Sequence, residues 1–197
     1  MPPTIRLAKL DDAEQVQTIY APYCRTPISF ETEPPTLNEM RRRLEKILDP
    51  YPWLVCEDGG EILGYVYASQ HRERAAYRWS VDTTVYVRPG RQRRGLGRAL
   101  YTSLLAMLPL QGFVNAYAGV TLPNPASVGL HEAMGFRPVG VYERVGFKAG
   151  SWHDVAWFQR PLRARPDEPP LPSRLEEVRH TTAWLHALSS GVQFLRD

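Results

Sequence analysis

The chemistry in this chain of 197 residues concentrates between Val85 and Leu100, which read Val-Tyr-Val-Arg-Pro-Gly-Arg-Gln-Arg-Arg-Gly-Leu-Gly-Arg-Ala-Leu. A β-branched strand runs into a basic, glycine-punctuated turn and then into an apolar-periodic helix. Gly95 and Gly97 remove Cβ atoms where backbone N–H groups must turn toward an anion, and the unpaired amides of a new helix add a fixed positive end. Arg91, Arg93, Arg94 and Arg98 supply counter-charge, so the parts suit a pyrophosphate. Two other readings stay open at this level. In a dinucleotide fingerprint the third glycine would fall at Leu100, and the turn would open the first βαβ unit rather than lie mid-chain. A basic surface turn that only caps a helix is the other.

Other residues could join that chemistry. Asp82, on the strand leading into the turn, can take up a proton or pair with a nearby arginine. His131, in a later helical stretch, can donate or relay a proton, or can simply pack. Arg72, Arg74 and Arg78 can grip the oxygens of a carboxylate or similar anion through two parallel hydrogen bonds. Asn124, after Pro123, can cap a helix. His153-Asp154 invites a catalytic dyad, but no Ser nucleophile in an elbow motif accompanies it.

Net charge is only +3, yet eight arginines stand between Arg72 and Arg98 against two acids, Glu73 and Asp82. That imbalance suits a small anionic ligand more than a nucleic acid, for which neither a helix-turn-helix nor an RNA-binding aromatic motif is visible. Two cysteines, Cys24 and Cys56, make neither a disulfide framework nor a zinc pattern. The expectation is a cytoplasmic protein without a metal, a signal peptide or a membrane span.

To position these residues the chain needs a strand over Thr4–Lys9 and a helix capped by Asp11 or Asp12 that carries Val16, Ile19 and Tyr20. After a Pro- and Thr-rich loop from Thr26 to Pro35, Thr36 caps a second helix with Leu37, Met40, Leu44, Ile47 and Leu48 at helical spacing. Strands at Trp53–Glu57 and Ile62–Ser69 flank an Asp58-Gly59-Gly60 hairpin turn. Trp79–Val87 is the next strand, Gly95–Leu108 a helix, Phe113–Val120 a strand, and Asn124–Met134 a helix ended by Gly135. Phe136–Phe147 and Trp152–Gln159 make a final strand pair. This order predicts an α/β (α+β) fold with a mixed central sheet flanked by helices. Residues 1–162 form the main domain, 163–173 a Pro-rich linker, and 174–197 an extra C-terminal helix with Leu175, Val178, Thr182 and Leu185 in one stripe, docked on its own core or across a dimer.

Gln92-Arg93-Arg94-Gly95-Leu96-Gly97 resembles the Gln/Arg-x-x-Gly-x-Gly/Ala signature of the Gcn5-related N-acetyltransferase (GNAT) superfamily. Ile19-Tyr20 and the stretches Ser29–Pro34, Tyr51–Val55, Ala76–Val87, Leu130–Phe136 and Gly150–Val155 resemble one branch, the phosphinothricin N-acetyltransferases, which acetylate the α-amino group of phosphinothricin, methionine sulfoximine or methionine sulfone. The tail from Arg163 lies outside the resemblance.

The resemblance implies the GNAT fold, acetyl-coenzyme A as co-substrate, a small amino acid as acceptor and direct transfer in a ternary complex; a homodimer is the expected assembly. It implies that Val85, Tyr86, Val87, Gln92, Arg93, Arg94, Gly95, Leu96, Gly97, Arg98 and Asn124 hold the coenzyme. Asp82 then handles the amine proton, Val87 N–H stabilises the oxyanion, and His131 acts on the departing thiolate. Phe30, Arg72, Arg74, Tyr77 and Arg78 would bind the acceptor. Asp82 stands where the family has Glu, and its shorter side chain favours proton transfer through water. The alternatives are acetylation of a polyamine, an aminoglycoside or a protein amino terminus, and a non-catalytic coenzyme A-binding module. The arginine cluster opposes cationic acceptors, because like charges repel on burial.

Overall fold

The computed structural model describes residues 2–196; Met1 and Asp197 lie outside the described residues. Seven strands form one sheet in the order β1-β2-β3-β4-β5-β7-β6. They are β1 (Thr4–Leu7), β2 (Trp53–Asp58), β3 (Glu61–Gln70), β4 (Ser80–Val87), β5 (Asn115–Thr121), β6 (Arg137–Lys148) and β7 (Ser151–Pro161). Helices α1 (Ala13–Tyr20) and α2 (Leu37–Leu48) precede β2, α3 (Leu96–Met107) joins β4 to β5, and α4 (Pro125–Ala133) joins β5 to β6. All neighbouring strands pair antiparallel except β4 and β5, so the sheet is mixed, as the alternation of elements predicts.

The helices divide between two apolar layers. One is built on Leu100, Tyr101, Leu104, Leu54 and Val66, and the other on Val16, Ile19, Leu44, Trp53 and Tyr65. Strand residues alternate between them, since successive side chains leave a strand on opposite faces. Trp53, Val55 and Tyr65 therefore face α1 and α2, while Leu54, Cys56 and Val66 face α3. Among the described residues no helix is long and apolar enough to cross a membrane.

Three local expectations need correction. Thr36 caps α2 as expected, accepting from Glu39 N–H at 3.2 Å, but the Asp12 carboxylate turns away from α1. It accepts from Lys9 N–H at 2.7 Å and from Arg6, whose guanidinium holds it below the usual carboxylate range against the opposing effect of burial. Leu37 is exposed at the start of α2. The single C-terminal helix is two short ones, α5 (Leu175–Val178) and α6 (Thr182–Ser189), because the Thr181 hydroxyl caps a fresh start by accepting from Trp184 N–H at 3.2 Å. Leu185 accordingly points outward, and Trp184 and Ala187 carry the burial with Leu175.

That tail is part of the α3 layer. Ser103 Oγ of α3 donates to the Leu188 carbonyl at 2.7 Å and accepts from Gly191 N–H at 3.1 Å, while Trp184 is 1% exposed within the same apolar cluster as Leu100 and Leu104.

Candidate active site

β4 and β5 pair in parallel over only three residue pairs, Ser80 with Asn115, Val81 with Ala116 and Asp82 with Tyr117. Thr83 makes the last link, its hydroxyl donating to the Tyr117 carbonyl at 3.0 Å. Beyond it the strands part, and a slot opens between Thr83, Thr84, Val85 and Tyr86 on one side and Gly119, Val120 and Thr121 on the other. Asn124, Ser127, His131 and Tyr101 line one end of it, and Ile28 reaches in from the loop between α1 and α2.

The ladder to β3 decides which main-chain groups face that slot. Arg88 N–H donates to the Leu63 carbonyl, and Gly64 opposes Val87. In an antiparallel pair hydrogen-bonded and open pairs alternate, so Tyr86, Thr84 and Asp82 bond to β3. Thr83, Val85 and Val87 turn their amides and carbonyls toward β5. The Val87 carbonyl is taken by the Tyr23 hydroxyl at 2.5 Å.

At the open end of the slot, α3 begins with Gly95 at φ 78°, and Arg93 also adopts a positive φ of 66°. The first intrahelical bond runs from Ala99 N–H to the Gly95 carbonyl, so among the described residues the amides of 95 to 98 have no backbone partner. Gln92 Oε1 accepts from Gly90 N–H and closes the turn. The turn therefore fits an anion, but the glycines serve it differently from the sequence expectation. A Cβ on Gly97 would meet Leu130 Cδ2 of α4 at 2.9 Å, and one on Gly95 would collide with the Phe194 carbonyl. Their bare Cα atoms admit a neighbouring helix and the C-terminal tail. Arg196 N–H donates to the Arg94 carbonyl, and the Arg98 guanidinium lies 4.1 Å over the Phe194 ring. Arg91 is committed to Glu61 at 3.0 Å.

At the closed end, Asp82 faces the side covered by α1 and α2. Its Oδ1 lies 2.7 Å from His71 Nδ1, and burial pushes its carboxyl up against the pull of His71 and Arg72. His71 stacks on Tyr117 at 4.3 Å. It borders an open cavity of about 610 Å³ with Tyr67, Ser69, Gln70, Arg72 and, from α2, Arg43.

His131 occupies the other face. It is buried, its Nδ1 lies 2.7 Å from the Ser127 carbonyl and its Nε2 lies 2.9 Å from the Tyr101 hydroxyl. A carbonyl only accepts, so Nδ1 carries the hydrogen and Nε2 accepts from Tyr101. Burial lowers the imidazole's proton affinity, partly opposed by Ser127, and keeps the ring neutral. Asp82 and His131 are thus separated by the sheet. Asn124 caps α4, accepting from Ser127 N–H at 3.1 Å, while bordering the slot.

The three acceptor arginines diverge. Arg72 borders the cavity, its guanidinium 5.4 Å over Trp157. Arg78 folds back, donating to the Ala75 carbonyl and lying over Trp79, and Arg74 only precedes the turn at Ala75–Tyr77. Tyr77 presents its edge to His71 at 5.8 Å. Phe30 covers Gly146 of the β6–β7 hairpin instead of walling the cavity. Lys148 on that hairpin donates to the Cys24, Ser29 and Glu31 carbonyls at 2.5 to 2.8 Å and ties it to the α1–α2 loop. His153 and Asp154 are similarly engaged, with the Lys148 carbonyl and with Arg144 N–H. Among the described residues no group of three His, Cys, Asp or Glu side chains gathers to hold a metal.

Sequence reasoning missed His71. Its only signal is the strand period, which sets Tyr67, Ser69 and His71 on one face. The decisive contact needs the Ser69–Asp82 register, which the irregular connection from 71 to 79 conceals.

A strand–turn–helix anion site feeding a gap between two parted parallel strands defines an acyl-coenzyme-type transferase architecture. The family profile described as Acetyltransferase (GNAT) domain matches residues 5–157, and the chain belongs to that family. It is 43% identical over 174 residues to a phosphinothricin N-acetyltransferase of Streptomyces viridochromogenes, covering 88% of this chain and 94% of the relative. It is 33% identical over 168 residues to an L-methionine sulfoximine/L-methionine sulfone acetyltransferase of Salmonella typhimurium, covering 83% and 98%. A crystal structure of a phosphinothricin acetyltransferase from Sinorhizobium meliloti in complex with AcCoA superposes with a TM-score of 0.80 at 33% identity, covering 93% of this chain and 99% of that one. The chain is thus a GNAT acetyltransferase closely related to the phosphinothricin branch.

Proposed function

We propose that this chain moves an acetyl group from acetyl-coenzyme A to the α-amino group of a small amino acid of the phosphinothricin or methionine sulfone type, both substrates bound at once. The observation that carries this reading is the course of β4: from Asp82, bonded to His71 beside the cavity that Arg72 borders, it runs along the gap opened where its pairing with β5 ends and into the turn before the unpaired amides of 95 to 98. The turn with Arg93 and Arg94 holds the pyrophosphate, and Thr83, Val85 and Val87 offer main-chain groups to the pantetheine arm. Asn124 borders the same slot from the N-terminus of α4 and would adjoin that arm.

Strand geometry favours Val85 over Val87 as the oxyanion donor. At about 3.3 Å per residue, Val87 lies roughly 16 Å along β4 from Asp82, too far for both to act on one reacting centre. Val85 N–H, roughly 10 Å away and also turned toward the slot, is within reach of a carbonyl oxygen beside the Asp82 side chain. His131, with both nitrogens engaged, supports the slot wall and the Tyr101 hydroxyl instead of handling the thiolate itself.

Of the cations that border the cavity, Arg43 is already paired with Glu31 at 2.6 Å and Glu39 at 3.2 Å, and of the remaining two, Arg72 and Lys46, Arg72 adjoins His71 and can grip an acceptor carboxylate through two hydrogen bonds. We assign residues 1–162 as the catalytic body, 163–173 as a connector and 174–197 as an extension, whose helices dock on α3. The exposed apolar side chains of Val139, Val141 and Phe147 on edge strand β6 favour a homodimer, testable by light scattering.

The reading is tested by thiol release from acetyl-coenzyme A with phosphinothricin, methionine sulfone, methionine sulfoximine and spermidine. The amino acids should turn over and spermidine should not; preference for spermidine, or no acceptor-dependent release, overturns it. Arg72→Ala should raise the acceptor KM about 10- to 100-fold, the loss of a charge-assisted hydrogen bond, with acetyl-coenzyme A saturation unchanged. Arg74→Ala and Arg78→Ala should stay within about twofold.

A further inference from the structure

We propose that His71 is the base that takes the proton from the acceptor's ammonium, with Asp82 as its orienting partner, a histidine–carboxylate pair near the end of the β4–β5 pairing. This rests on the acetyltransferase reading above and names the proton acceptor within it.

The pair's chemistry follows from its hydrogen bond. An ionised carboxylate only accepts, so Nδ1–H of His71 donates to Asp82 Oδ1 across 2.7 Å. That fixes the tautomer and leaves the lone pair on Nε2. Among the described residues Nε2 has no hydrogen-bond partner, while the ring borders the cavity with Ser69, Gln70 and Arg72. The ring is also held in place: it stacks on Tyr117 at 4.3 Å with 14° between planes, and Tyr77 and Trp157 meet it edge-on at 5.8 and 6.3 Å. Its side chain is 11% exposed, so the pair is shielded but reachable.

Proton affinity favours the imidazole over the carboxylate. An α-ammonium in water gives up its proton several pH units above a carboxylic acid, so direct transfer to Asp82 runs steeply uphill. Imidazole closes much of that difference, and a carboxylate on the far nitrogen stabilises the imidazolium that forms. The charged and titratable groups around the ring are Asp82 on β4, Tyr117 on β5, and Arg72, Glu73 and Tyr77 in the connection after β3. Tyr67 on β3 and Arg43 and Lys46 on α2 border the same cavity.

The atoms balance as follows. One ammonium proton passes to Nε2, and the nitrogen lone pair forms the C–N bond at the thioester carbonyl. As the C–S bond breaks, its electron pair goes to sulfur, and a second N–H proton ends on that sulfur through water. The imidazolium then releases its proton to solvent, giving amide, thiol and one free proton.

His71→Asn tests this, because the amide can still donate to Asp82 but offers no basic nitrogen. With saturating acceptor, kcat should fall about 10²- to 10⁴-fold, the usual share of a general base. The acetyl-coenzyme A KM should stay within about twofold and the acidic limb of the pH profile should flatten. His71→Ala should regain at least about tenfold with added imidazole, which a packing role would not give. Asp82→Asn should lose less than His71→Asn and shift its acidic limb to lower pH. If His71→Asn keeps kcat within about threefold while Asp82→Asn does not, Asp82 is the base and the proposal fails.

If His71→Asn does not fold by circular dichroism, His71→Gln takes its place. Ring ¹⁵N NMR of His71 in the parent needs no turnover: Nδ1 should carry the hydrogen and Nε2 the lone pair, and the opposite tautomer overturns the pairing. Absence of acceptor-dependent turnover in the parent would instead count against the substrate reading, a separable outcome.

Discussion

On the face of the sheet covered by α3 and α4, His131 spends both nitrogens inside the protein, on the Ser127 carbonyl and the Tyr101 hydroxyl. On the face covered by α1 and α2, His71 spends one nitrogen on Asp82, and its other nitrogen has no partner among the described residues. The two rings stand on opposite faces of the sheet near the end of the β4–β5 pairing, so the difference separates a framework histidine from a reactive one. It also argues that satisfied hydrogen bonds, rather than residue type or motif position, decide which imidazole can exchange a proton. Three substitutions probe how far the α3–α4 side is framework.

The largest effect is expected at Gly95. Its φ of 78° costs an L side chain about 1–2 kcal/mol, and a Cβ there would drive into the Phe194 carbonyl. Gly95→Ala should lower stability by about 2–4 kcal/mol and loosen the last residues, read as a drop in the thermal midpoint and faster amide exchange of residues 191–196. A stable variant with a docked tail would mean that the tail's contact does not dictate this glycine.

The strand and helix order was legible because the apolar periods are strong, and the turn from Arg91 to Gly97 was legible because its glycines and arginines are contiguous. The roles of Gly95 and Gly97 were not. Their neighbours, Phe194 and Leu130, are distant in sequence, and a missing Cβ records only that something comes close. Asp82 was legible by resemblance; its partner His71 depends on a register that no local pattern sets. The resemblance implies Val87 as the oxyanion donor, whereas the proposed donor is Val85, since a motif carries no distance and the rise of the strand puts Val85 nearer to Asp82.

His131 gives the intermediate effect and bears most directly on the contrast with His71. His131→Asn should cost about 1–3 kcal/mol by leaving the Tyr101 hydroxyl or the Ser127 carbonyl unpaired, while kcat stays within about tenfold and the acidic limb survives. Burial lowers the folded-state proton affinity of this ring below its unfolded value. The unfolded chain therefore binds the extra proton first as pH falls. The ring's contribution to stability is complete above the unfolded value of about 6.5 and is lost progressively below it. Between pH 7.5 and 5.5 the parent's thermal midpoint should fall more steeply than that of His131→Asn. A flattened acidic limb in His131→Asn, matching His71→Asn, would break the contrast.

The smallest effect is expected at Gly97, two residues further along the same turn. Here φ is ordinary for a helix, and the added methyl would meet Leu130 Cδ2 at 2.9 Å, the far end of a side chain that can rotate by a few tenths of an ångström. That repacking cost opposes the helix preference for Ala over Gly, worth up to about 1 kcal/mol. The two nearly cancel, so Gly97→Ala should change stability by less than about 1 kcal/mol. The methyl points toward α4 and leaves the amides of 95 to 98 untouched, so acetyl-coenzyme A affinity by calorimetry should stay within about threefold, under 1 kcal/mol. A tenfold loss of affinity with an unchanged thermal midpoint would return the bare Cα of Gly97 to the anion and make α4 the incidental neighbour. Together with a large effect at Gly95, near-silence at Gly97 would show that the cradle is made by its main-chain amides, with the tail and α4 holding it from behind.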